Sequence, residues 1–131
     1  MKASKFIEYN IYNTKKDIDN YINNPGERFL GAVVGPYANR IAGGTYTIGE
    51  ETYNFPQNNN GQTLHGGLIG LDMVVWNVEK VTDSSIVLSY LRPDGQEGMP
   101  GNLNILMTYT LTPENEFRID YVAETDKATH V

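Results

Sequence analysis

The chain has 131 residues, enough for one compact domain with one core but too few for a doubly wound sheet plus a second domain. Sixteen acidic residues against ten basic ones leave a net charge of −6, and a chain so poor in cations has no stripe with which to displace the counterions of a nucleic acid. The lack of cysteine removes disulfides, thiolate metal sites and a thiol nucleophile, and no run approaches the ~20 apolar residues of a membrane span.

Thirteen glycines, nine tyrosines and frequent asparagine favour turns and pleated, half-buried surfaces, so a mostly β chain is expected. Met1 to Tyr12 mixes charge with polarity and is not a signal peptide, which points to the cytoplasm. Residues 6–12 read as a first strand. Thr14 to Asp17 opens like a capping box with Asp in place of the usual Glu or Gln. Ile18, Tyr21 and Ile22 follow at helical spacing and Asn23-Asn24-Pro25-Gly26 ends them, so one short helix is expected near residues 14–22.

Phe29 to Val34 is an apolar run with no polar alternation, as in a segment buried on both faces, and Gly35-Pro36 interrupts it. Thr45 to Ile48 and Glu51 to Phe55 read as a hairpin around Gly49, with Tyr46, Ile48, Tyr53 and Phe55 on one face. A long loop rich in Asn and Gly covers residues 56–70. Val74, Trp76 and Val78 alternate as a strand, and so do Ile86, Leu88 and Tyr90. A second long loop covers residues 92–102. The last hairpin alternates through Leu103, Ile105, Met107, Tyr109 and Leu111, turns at Thr112 to Glu116, and resumes through Phe117, Ile119, Tyr121 and Ala123. About seven strands with no internal repeat and no linker describe an all-β, antiparallel β-sandwich occupying residues 1–131 as a single domain. Two loops longer than ~10 residues are unusual in so small a domain and are commonly functional. A chain that stops at Val131, directly after a strong strand, leaves strand edges and an apolar face without a visible partner.

Few residues are equipped for chemistry. His65 lies in Leu64-His65-Gly66-Gly67, where the glycines let backbone approach a ligand; the competing reading is a solvated or structurally bonded imidazole. Arg40 lies in Tyr37-Ala38-Asn39-Arg40-Ile41. It reads either as a surface cation or, with the Asn39 amide, as a donor set for sugar hydroxyls or carboxylates. Trp76 reads as a core aromatic rather than a stacking platform for a sugar. Asp94 and Glu97 suggest a carboxylate pair for glycoside chemistry, but in a loop so rich in Gly and Pro they read as turn-formers facing water. His130 earns no role on local grounds. The Gly-Gly pairs do not join a strand to a helix, so no phosphate cradle is implied, and two histidines with no i, i+4 pair make no zinc site.

Taken in series the motifs carry a resemblance. Gly35-Pro36-Tyr37-Ala38-Asn39-Arg40-Ile41-Ala42-Gly43-Gly44, a Tyr-Asn-Phe strand, Asn58-Asn59, Leu64-His65-Gly66-Gly67, Gly70-Leu71-Asp72 and Val74-Val75-Trp76 resemble the aldose 1-epimerase (galactose mutarotase) family in order and spacing. Asp94-Gly95-Gln96-Glu97-Gly98-Met99-Pro100-Gly101-Asn102-Leu103 is similar to the family's loop before a strand, and the resemblance spans about residues 17–131.

The resemblance implies part of an antiparallel supersandwich and interconversion of the α and β anomers of free hexoses such as galactose or glucose. A carboxylate takes the anomeric hydroxyl proton while a protonated His gives one to the ring oxygen, and no cofactor takes part. By position, His65 matches the first of the family's two active-site histidines, Asn39 and Arg40 match the sugar-hydroxyl-binding position, and Trp76 matches scaffold. Position 36 departs from the pattern: it holds Pro where the family commonly has Arg, which also argues against a hexose-phosphate substrate. The family's principal acid His lies in an Asn-His-Ser-Tyr motif that His130 precedes, and its general-base Glu comes later still. The chain is therefore expected to represent the first third to two-fifths of a mutarotase, inactive alone and self-associating through exposed strand edges. The alternative is a β-sandwich that binds carbohydrate or a protein without catalysis.

Overall fold

Alternation of apolar and polar residues over nine positions, begun again after a Pro-Glu-Asn turn, makes the last hairpin the dominant element of the fold. In a computed structural model, which describes residues 28, 29 and 31–131, that hairpin forms one inner and one outer strand of a four-stranded antiparallel sheet. The strand expected over 6–12 and the helix over 14–22 lie outside the described residues. In chain order the strands are β1 (Arg40–Ile41), β2 (Thr45–Ile48), β3 (Glu51–Asn54), β4 (Thr63–Leu64), β5 (Asn77–Val81), β6 (Ser85–Arg92), β7 (Leu103–Leu111) and β8 (Phe117–Thr125). They pair as β1 with β4, β2 with β3, and β5-β6-β7-β8 in sequence order, all antiparallel. The all-β antiparallel class expected from the sequence is the one observed.

Period-two patterning fixes which side of the large sheet is buried. Leu103, Ile105 and Met107 project to one face of β7, opposite Arg92, Tyr90 and Leu88 of β6, and all three are buried. Leu103 and Ile105 pack with Leu71, and Val33, Trp76 and Tyr90 lie against them. A second cluster joins Ile41, Phe55 and Met99 with Tyr37, Tyr46 and Tyr53. The β2–β3 hairpin pairs Tyr46 with Tyr53 and brings the Tyr46 ring within 4.5 Å of Phe55, the shared face expected of it. At the β7–β8 turn, Thr112 N donates to Glu116 O (2.9 Å) and Asn115 takes the left-handed conformation (φ 66°).

Three expectations are revised. The strand expected through Val74, Trp76 and Val78 begins only at Asn77. Val75 is 90% exposed, and Trp76 turns inward so that its indole N–H reaches Leu71 O (3.2 Å), the polar partner that a half-buried indole needs. The apolar run before Gly35 contributes Val33 to the core, but its described residues form no ladder, and residues 32–34 are half-buried. The pair β1 and β4 was not expected, because two-residue strands carry no periodicity.

Arg92 closes the core end of β6. It is 2% exposed, and its guanidinium donates to five backbone carbonyls, those of Pro93, Gln96, Met99, Pro100 and Gly101. Burial pulls its pKa below the ordinary arginine value, and the carbonyl cage offsets the cost of holding a charge away from water. The loop 93–101 is thus wrapped around one side chain. Among the described residues, no helix is long and apolar enough to cross a membrane.

The sheet packing makes Leu103, 1% exposed, the most informative truncation. Leu103→Ala is expected to lower the unfolding free energy by about 2–5 kcal/mol in a denaturant titration, with a slope close to wild type.

Candidate functional site

The site begins where the shortest strands end. Arg40 pairs with Leu64 and Ile41 with Thr63. One residue beyond, the pairing continues in another form. His65 N donates to Asn39 O (2.9 Å), and Asn39 N donates not to a carbonyl but to the imidazole Nδ1 of His65 (3.0 Å). Both residues take left-handed backbone, with φ of 61° at Asn39 and 51° at His65, a conformation uncommon outside glycine and tolerated best by Asn, Asp and His. Because Nδ1 accepts, the single proton of a neutral imidazole sits on Nε2.

Neighbours restrain the ring further. Phe29 meets the imidazole edge-on, with centroids 4.6 Å apart. The Arg28 guanidinium lies 5.0 Å above the Phe29 ring. Arg28 grips Asp72 with two N–H groups, Nη2 to Oδ1 at 2.9 Å and Nε to Oδ2, and the Asp72 side chain is 2% exposed. Arg40 beside them is exposed and is aimed by two amide oxygens: Nε donates to Asn59 Oδ1 (3.1 Å) and Nη1 to Asn39 Oδ1 (3.2 Å). A guanidinium has five N–H donors, so three remain for a ligand.

The loop that carries His65 is stitched from both sides. Asn58 Nδ2 donates to Leu64 O (3.0 Å) and Gly67 O (2.7 Å), while its Oδ1 accepts Leu64 N (2.7 Å). Thr63, 1% exposed, donates its hydroxyl to Pro56 O (2.7 Å). Gly66 and Gly67 take positive φ, and a Cβ would drive Gly66 into Gly35 O and Gly67 into the Glu97 carboxylate. Close packing, more than freedom to move, requires glycine here.

Of the residues singled out in the sequence, Asn39, Arg40 and His65 are brought together at the end of β1 and β4. His130 packs edge-on against Tyr46 (4.7 Å) and Tyr37 (6.3 Å), a structural contact. Asp94 forms a turn as expected, its Oδ1 accepting Gly101 N (2.5 Å). Glu97 is half-buried, and at the surface its Oε2 accepts Leu68 N (2.6 Å), a partner the sequence did not indicate. The supports at Asn58, Asn59, Phe29 and Glu97 were missed; the Asn58-Asn59 pair stands in the motif series, but nothing local to it gives its reach. A protonated Nε2 and a guanidinium with three uncommitted N–H groups are both donors, the type of group that suits oxygen lone pairs on a polyol. Among the described residues, no three His, Asp or Glu side chains converge to hold a metal.

The aldose 1-epimerase family model matches residues 3–131. The chain is 43% identical to the galactose mutarotase of Mus musculus over 103 residues, covering 79% of this chain and 30% of the mouse protein. It is 38% identical to the aldose 1-epimerase of Haemophilus influenzae over 112 residues, 86% of this chain and 32% of that protein. Among solved structures, a galactose 1-epimerase from Lactobacillus acidophilus superposes with a TM-score of 0.73 at 32% identity, over 87% of this chain and 34% of that one. An aldose epimerase homologue from C. elegans superposes with a TM-score of 0.77 at 31% identity, over 86% and 34%. The chain thus spans about a third of the length of the relatives it matches.

Asn58 makes three of the bonds that hold the His65 loop. Asn58→Ala is expected to cost roughly 1–3 kcal/mol by chemical denaturation. Amide exchange should quicken at Leu64 while the β6–β7 ladder keeps its protection.

Proposed function

This chain belongs to the aldose 1-epimerase family, and from that premise we propose that it supplies the sugar-gripping wall of a mutarotase, which interconverts the α and β anomers of free hexoses such as galactose or glucose. The observation that carries the reading is the reciprocal pairing of Asn39 with His65. It leaves the proton of a neutral imidazole on Nε2, and Asn39 also accepts from the Arg40 guanidinium, which links the three residues. In this reading, Nε2–H polarises the ring-oxygen region of the sugar, and Asn39 and Arg40 bind its hydroxyls.

Ring opening needs two proton transfers at once, one onto the ring oxygen and one off the anomeric hydroxyl, by groups within hydrogen-bond reach. His65 is fixed as a donor and Arg40 cannot accept a proton, so neither serves as the base. The chain spans about 30% of its curated relatives, and alone it binds hexose without turning it over.

Polarimetry on freshly dissolved α-D-glucose or α-D-galactose is expected to show mutarotation at the buffer rate, and robust turnover by the chain would contradict the incapacity. Calorimetric titration with galactose is expected to show binding that Arg40→Ala weakens about tenfold or more, since a charge-assisted hydrogen bond is lost. Binding indifferent to both Arg40 and His65 would sink the assignment and favour a carbohydrate-binding or protein-interaction module of another kind.

The large sheet supports a second part of the proposal, self-association. Among the described residues, β5 and β8 are its outer strands. Val78 and Val81 on β5 are 61% and 65% exposed, and Ile119 and Tyr121 on β8 are 43% and 54% exposed. Light scattering is expected to show a mass that rises with concentration and falls toward the monomer in Ile119→Lys/Tyr121→Lys. A sharply monomeric wild type would count against it.

A further inference from the structure

The loop 93–101 meets the His65 loop although 29 residues separate the two contacting positions, Leu68 and Glu97. Its shape is imposed by Arg92, whose buried guanidinium gathers five carbonyls from residues 93 to 101. Turn bonds tighten it: Gly95 N donates to Met99 O (2.9 Å) and Gly98 N to Gly95 O (3.0 Å). At its crest, Glu97 takes φ of 55°, a conformation that a long unbranched acid rarely adopts and that persists only where the surroundings enforce it.

That conformation brings the half-buried carboxylate against the neighbouring loop. Glu97 Oε2 accepts the Leu68 amide at 2.6 Å and lies so close over Gly67 that any Cβ there would overlap it. Gly67 is held from the opposite side by Asn58 Nδ2 at its carbonyl and by its own amide bond to Leu64 O (3.1 Å). The backbone two and three residues after His65 is therefore clamped between an amide and a carboxylate. The imidazole can meet Asn39 N–H only while His65 keeps its left-handed backbone.

We propose that Glu97 is a positioning residue for His65: its carboxylate clamps the loop at Gly67 and Leu68 and thereby holds the imidazole with Nδ1 on Asn39 N–H and the proton on Nε2. The proposal deepens the sugar-site reading and rests on it for its consequence, the aim of the Nε2 donor, but its test needs no sugar.

The test uses the uniformly 15N-labelled chain, with long-range 15N–1H correlation assigning the protonated nitrogen of each imidazole and amide exchange measured alongside. In the wild type, His65 is expected to show a bare Nδ1 and a protonated Nε2. Glu97→Asp keeps the charge and tolerates the left-handed turn, but its side chain is one methylene too short to reach Leu68. It is expected to mix the His65 tautomers and to speed Leu68 amide exchange roughly tenfold or more. His130 and the β6–β7 amides should stay unchanged. Glu97→Gln keeps an acceptor oxygen at the same reach and is expected to restore the wild-type His65 pattern. A His65 pattern unmoved in Glu97→Asp overturns the proposal, as does loosening shared equally by the β6–β7 amides, which marks a merely structural role. A wild-type chain that binds no hexose sinks the sugar reading and leaves this tautomer readout intact.

Discussion

One hydrogen bond organises the site: the Asn39 amide donates to the imidazole of His65 rather than to a carbonyl. A ladder bond in its place would extend β1 and β4 by a residue and leave the imidazole free to turn. Because the ring itself is the acceptor, the backbone on both sides must leave the strand conformation, and Asn39 and His65 do so in the left-handed region. The same bond selects the tautomer, so a backbone irregularity becomes a chemical specification of which nitrogen carries the proton.

Such a geometry persists only if its surroundings over-determine it. The supports come from three directions, and one of them traces back to the buried face of the large sheet. Asn58 bonds the strand end at Leu64 and the backbone at Gly67. Phe29, steadied by Arg28 and the buried Asp72 carboxylate, limits tilting of the ring. Arg92, at the end of β6, converts the rigidity of the sheet into a fixed loop that delivers Glu97. The position of β6 depends in turn on the register that places Leu103 opposite Arg92 and Ile105 opposite Tyr90. A core decided by hydrophobic alternation thus reaches, through one buried cation and the buried Met99, a loop otherwise made of Gly, Pro and polar residues.

What was legible in the sequence follows from the range of each signal. The hairpins at Thr45–Asn54 and Leu103–Thr125 were legible because period-two patterning and turn chemistry act over a few residues. Asn39, Arg40 and His65 were legible through the motif series. The strand pair at Arg40–Ile41 and Thr63–Leu64 was not, since two residues have no period. Trp76 packs against the core as read, but its alternation with valines resembled a strand, whereas β5 begins at Asn77 and the indole N–H bonds to Leu71 O. Glu97 misled for a deeper reason. An acid in a Gly-rich loop reads as a free turn-former by composition, and the groups that tie it to the neighbouring loop, the Leu68 amide and the cage of Arg92, lie elsewhere in the chain or are backbone groups.

The central claim is that Asn39, Arg40 and His65 form one donor surface for a free hexose. Its most direct test is an NMR titration of the chain with D-galactose that follows side-chain N–H resonances. The account predicts that His65 Nε2–H and Arg40 Nε–H shift together along one binding curve while the His130 ring signals stay fixed. Shifts centred elsewhere, or none at concentrations that saturate any perturbation of the β7–β8 hairpin, would contradict it.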